Sequence, residues 1–67
     1  MQDSPLCNRE IIIEFHPLGA YVKVSAMDVQ TLTEISIQGP VSASKEALKH
    51  NALKRLEYVL KKRGLIS

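Results

Sequence analysis

Scarcity sets the first bounds on this 67-residue chain. It has one cysteine, Cys7, so no internal disulfide can form, and a lone thiol near a terminus is expected to stay reduced in a cytoplasmic protein. His16 and His50 stand apart from each other and from Cys7, so no metal-ligand spacing is spelled out and neither a metal nor a cofactor is expected. Apolar runs are no longer than the three isoleucines at 11–13, too short for the core of a signal peptide or for a membrane-spanning helix. The three glycines, Gly19, Gly39 and Gly64, are isolated, so no phosphate-cradling loop is indicated.

Catalytic constellations are scarce as well. General acid–base or nucleophilic chemistry needs a positioned pair of groups in a site that excludes water. Glu10 and Glu14 are four apart, which on a strand places them on one solvated face, two pleats from each other. The serines have no histidine beside them. The chain is therefore read as a non-enzyme with no evident small-molecule substrate. A domain of this length buries only about 60% of the surface its unfolded chain exposes. With no disulfide or metal to help, a purely hydrophobic core must hold it.

Charge is present but unevenly placed. Residues 1–43 carry Arg9 and Lys23 against Asp3, Glu10, Glu14, Asp28 and Glu34. From Ser44 onward, Lys45, Lys49, Lys54, Arg55, Lys61, Lys62 and Arg63 face only Glu46 and Glu57. An acidic part and a basic part can attract one another within one molecule or between copies.

Hydrophobic spacing supplies the fold. Residues 1–8 lack periodicity and read as a loose lead-in. In "REIIIEFH" (residues 9–16), Ile11, Ile13 and Phe15 share one face, with Ile12, Glu14 and His16 on the other. "PLG" (residues 17–19) is expected to turn the chain into "AYVKVSAM", where Val22, Val24 and Ala26 alternate with polar positions. "DVQTLT" reads as a second turn region and "TEISIQ" as a third strand with Ile35 and Ile37 inward. "GPVS" ends that pattern, and Ser42 or Ser44 can cap a helix. Leu48, Ala52, Leu53, Leu56, Val59 and Leu60 then recur at helical spacing up to Gly64, a natural stop. The expectation is an α+β fold, β-β-β-α: an antiparallel meander with one C-terminal helix over the face made by the inward residues of all three strands. The domain would span residues 9–64, followed by a short tail at 65–67.

"REIIIEFHPLGAYVKVSAMD", then "TEISIQGP" and a Leu-rich basic helix, resemble a small uncharacterised domain family of alphaproteobacteria. The family pattern reads Arg-Glu-Ile, Gly-x-Tyr-Val-Lys-Val-x-Ala-x-Asp and Glu-[Val/Ile]-x-Ile-x-Gly. The likeness runs from about Arg9 to Arg63, with Leu32 standing where the family often has Gly. It implies the same fold and no activity or site.

Two functional expectations remain. In a sequential meander strand one is an edge, and Ile12 sits on its otherwise polar face. Antiparallel docking of two copies through Ile11, Ile12, Ile13 and Glu14 would pair free backbone groups and remove Ile12 from water. A strand of another protein could use the same edge. This makes a small interaction module, a homodimer or a binder of a protein partner, the preferred reading. The alternative is nucleic acid. "SKEALKHNALKRL" is similar to the start of the last helix in double-stranded-RNA-binding domains, and Lys45 and Lys49 are the candidate contacts. Glu46 stands where that helix usually has a further lysine, and the lead-in supplies no first helix. Most of the remaining cations fit ordinary helix design, because Lys61, Lys62 and Arg63 fall in the last turn and Glu57 precedes Lys61 by four. A membrane-surface role is not expected, since the apolar stripe of the helix is needed for the core.

Overall fold

The change from period-two to helical spacing is realised in the computed structural model, which describes residues 6–66. Strands β1 (Ile11–Leu18), β2 (Tyr21–Asp28) and β3 (Thr33–Pro40) precede a single helix, α1 (Lys45–Lys62). The strands form one antiparallel sheet in the order β1-β2-β3, the expected meander. The fold is α+β.

Register places like with like on the inner face. Ile13, Ala26 and Ile35 form one row across the sheet, and Phe15, Val24 and Ile37 the next. The flanking rows are Ile11, Asp28 and Thr33 at one end and Pro17, Val22 and Gly39 at the other. Leu48, Ala52, Leu56 and Leu60 of α1 are buried together with Val24 and Ala26. A Cβ on Gly39 would collide with the Leu48 side chain, so the helix approaches β3 at a place where only glycine fits unaided.

The helix packs over the inner face, mainly against β3 and β2. Ile11, Ile13 and Phe15 of β1, like Ile35 and Ile37 of β3, are partly buried against the core.

Both prolines expected to end strands instead lie inside them. β1 continues through Pro17 and Leu18, and the turn is Gly19–Ala20, with Gly19 at φ +66°. Glycine at the first position of a two-residue hairpin loop matches the twist of the flanking strands. β3 likewise runs through Gly39 and Pro40. On an edge strand a proline costs nothing when its missing N–H would have pointed outward, and both do so, as the register below establishes.

Of the two candidate caps, Ser44 serves: its Oγ accepts from the Ala47 N–H at 3.1 Å. At the other end the Leu65 N–H donates to the Leu60 carbonyl and the Gly64 N–H to that of Lys61, with Gly64 at φ +72°, a Schellman closure. Leu6 and Ile66, from segments read as lead-in and tail, pack against the core. The expectations for residues 1–5 and for residue 67 lie outside the described residues.

Candidate functional site

The free edge of β1 can be built from its hydrogen-bond register. Leu18 and Tyr21 flank the two-residue loop and close the ladder as a bonded pair. At the far end the Val29 N–H donates to the Glu10 carbonyl at 3.1 Å. Bonded and non-bonded positions alternate in an antiparallel pair, so Glu10, Ile12, Glu14, His16 and Leu18 bond β2. Ile11, Ile13 and Phe15 therefore turn their N–H and C=O groups away from the sheet, and Pro17 at the next outward position has no N–H to leave unpaired. Among the described residues nothing pairs with these outward groups.

The side chains of the same strand complete the edge. Ile11, Ile13 and Phe15 are half-covered on the inner face, and Ile12 is 41% exposed on the outer face. Glu14 and His16 flank Ile12's side of the strand, with the imidazole Nε2 3.1 Å from Glu14 Oε1. The four residues singled out from the sequence thus form one contiguous surface, to which Phe15 belongs as well.

The second candidate set meets the first. Lys45 Nζ lies 5.6 Å from the centroid of the Phe15 ring, within cation–π range, so the start of α1 leans over β1 there. Lys49, one turn further on, is exposed and makes no ion pair among the described residues. Several other cations are engaged within the helix. Lys61 pairs with Glu57 at 3.0 Å, and Arg55 and Lys62 stand 5.5 and 5.7 Å from the Tyr58 ring centroid. Lys54, Glu57, Tyr58 and Lys61 bound a shallow, open depression on the solvent side of α1.

One polar cluster escaped the sequence reading. Asp28, fully buried, accepts from Arg9 Nε on Oδ1 at 3.0 Å and from Arg9 Nη2 on Oδ2 at 2.8 Å. The same Oδ2 accepts the Thr31 N–H at 3.1 Å and the Thr31 hydroxyl at 2.7 Å. The Arg9 hydrogen bonds, opposed by burial and joined by those from Thr31, hold the carboxyl down at about 2. The Arg9 guanidinium is correspondingly shifted up by its hydrogen bond to Asp28. The cluster ties the start of β1 to the end of β2 and to the second hairpin loop, and it has no spare acceptor facing a cavity. It is structural. Parity was the available signal, since Asp28 follows Val22, Val24 and Ala26 on the inward series.

Among the described residues no three His, Cys, Asp or Glu side chains converge on a point where a metal could sit, and no helix is long and apolar enough to cross a membrane. No curated protein and no solved structure matches the chain. Residues 8–63, nearly the whole described fold, match a family defined only as a domain of unknown function, DUF6898, and the chain belongs to that family.

Proposed function

We propose that this domain is a non-enzymatic interaction module that self-associates through the β1 edge. One observation carries the reading: the outward backbone groups of β1 belong to Ile11, Ile13 and Phe15, whose apolar side chains are only partly buried. A second β1 docked antiparallel would satisfy the first and cover the second. Favourable cross-strand pairs contribute roughly 0.2–1 kcal/mol each, so a short edge supports weak, reversible association rather than a permanent complex. A strand from another protein could be captured by the same groups. The exposed thiol of Cys7 supports a reducing compartment, and with the alphaproteobacterial resemblance it points to a bacterial cytoplasm.

Sedimentation equilibrium tests this. The wild type is expected to dimerise at high micromolar concentration, Ile12→Glu to be monomeric, and Ser36→Lys on the opposite edge to dimerise like the wild type. A wild type that stays monomeric at high micromolar concentration removes the reading. Titration with short duplex RNA and DNA tests the rival. Affinity tighter than about 10⁻⁶ M near physiological salt, beyond ordinary nonspecific binding, and abolished by Lys45→Glu with Lys49→Glu, would put nucleic acid in its place.

A further inference from the structure

We infer that the two-fold axis of the self-associated pair passes through Ile13, so that Ile13 of one copy faces Ile13 of the other. This deepens the self-association proposed above and rests on it. In an antiparallel pair of identical strands, one number fixes the register: the residue at the axis. Five positions on β1 are available, and the structure separates them on two counts, the fate of the outward N–H groups and the charges brought face to face.

With the axis at Ile13, Ile13 bonds Ile13 and Ile11 bonds Phe15 of the second copy, so all three outward N–H groups of each chain find carbonyls. The next outward pair would join Arg9 to Pro17, outside the strand proper: the Arg9 N–H already donates to the Leu6 carbonyl, so the ladder ends there and only the Arg9 carbonyl is left to water. With the axis at Glu14, Ile11 falls opposite Pro17 and its carbonyl has no donor. With the axis at Ile12, Phe15 needs Arg9, where the extended chain is ending. An axis at Ile11 requires the strand to continue through the turn at Leu6 and Asn8, and Asn8 has φ +67°. An axis at Phe15 runs Ile11 against the Gly19 turn.

Charge selects the same register. The outer face carries Glu10, Ile12, Glu14 and His16 in alternation. An axis at Glu14 sets the two Glu14 carboxylates opposite each other, and an axis at Ile12 sets Glu10 opposite Glu14. Like charges directly opposite are destabilising. The axis at Ile13 instead pairs Ile12 with Glu14 and Glu10 with His16 of the second copy. On the inner face it joins two existing rows into one, Ile35, Ala26 and Ile13 meeting Ile13, Ala26 and Ile35 of the second copy. Ile13, at the centre of that row, is its partly buried member on β1.

Single cysteines on a Cys7→Ser background read the axis directly. Ile12→Cys, Ile13→Cys and Glu14→Cys are oxidised side by side, and the disulfide-linked dimer is measured on non-reducing gels. Ile13→Cys is expected to cross-link at least tenfold faster than the other two, because a bonded antiparallel pair holds its Cα atoms about 5.5 Å apart, within disulfide reach. Fastest cross-linking at residue 12 or 14 overturns this register while leaving the dimer intact. Cross-linking at none of the three, in a wild type shown by sedimentation to be monomeric, removes the dimer itself. Exposed positions supply a second test that does not touch the core. Glu10→Lys is expected to weaken association by roughly twofold to fivefold, and adding His16→Glu to restore it. Failure of the second change to restore the first contradicts the Ile13 axis, which alone places these two residues opposite each other.

Discussion

The two edges of this sheet start from the same backbone problem and solve it differently. β1 and β3 each have one side without a neighbour, and each run of outward groups ends at a proline, Pro17 or Pro40. By the same alternation as for β1, and with the Val41 N–H donating to the Ala20 carbonyl, the outward N–H groups of β3 belong to Glu34, Ser36 and Gln38. Their side chains are exposed and polar, so water satisfies that edge from every direction. On β1 the outward groups belong instead to Ile11, Ile13 and Phe15, apolar residues partly buried against the core, as Ile35 and Ile37 of β3 are. The edge whose free backbone groups sit among apolar rather than polar side chains has the most to gain from a partner.

The core beneath α1 can be broken outright. Leu56 is fully buried at the centre of the α1 contact with β2 and β3, and Leu56→Ala is expected to lower stability by about 3 kcal/mol. In a domain of this size that leaves a large unfolded fraction, readable as a shifted midpoint in urea monitored by circular dichroism. Ile13→Val, at a partly buried position on β1, is expected to move the same midpoint by under about 1 kcal/mol. A shift well above about 1 kcal/mol would mean that Ile13 is packed as tightly as a fully buried residue.

A smaller effect sharpens how β1 is fastened. Replacing Asp28 by Asn removes a buried acceptor for both Arg9 and Thr31, and a loss of about 2 kcal/mol is expected. The pH dependence has a definite sign. The carboxyl sits at about 2 in the folded protein against 3.8 ordinarily, so the unfolded chain takes up the proton first. Its contribution is complete above about pH 4 and is lost as the pH falls through about 2. Denaturation curves between pH 2 and 6 should show that loss in the wild type and a flatter profile in Asp28→Asn. A variant as steep as the wild type would assign the dependence to other carboxylates.

The smallest expected change lies in the hairpin that leads into β3. Leu32 holds φ +58° and is 72% exposed, so its side chain adds strain to the turn without contributing to the core. A left-handed conformation costs a residue with a Cβ roughly 1–2 kcal/mol, and glycine escapes that at the cost of a more flexible unfolded chain. Leu32→Gly is therefore expected to stabilise by about 0.5 kcal/mol, with association through β1 unchanged. Destabilisation would mean that Leu32 makes a contact worth more than its strain.

Local spacing by itself determined the element types, their order, a helix cap at Ser42 or Ser44 and the Gly64 stop, because alternation and helical recurrence are properties of short stretches of chain. It also singled out Ile12, since one isoleucine among polar neighbours is visible at period two. Where strands end was not local. Pro17 and Pro40 read as breaks until the register put their missing N–H groups on the open sides of edge strands. Asp28 read as part of a turn until its inward position and Arg9, 19 residues away, turned it into a buried ion pair. Coverage was decided by tertiary structure alone. Ile13 and Ile35 look alike in the sequence, both inward and both on outer strands of one meander, and both end partly buried against the core, yet the helix packs mainly against β3 and β2. Gly39, where a Cβ would collide with Leu48, admits the helix on the β3 side.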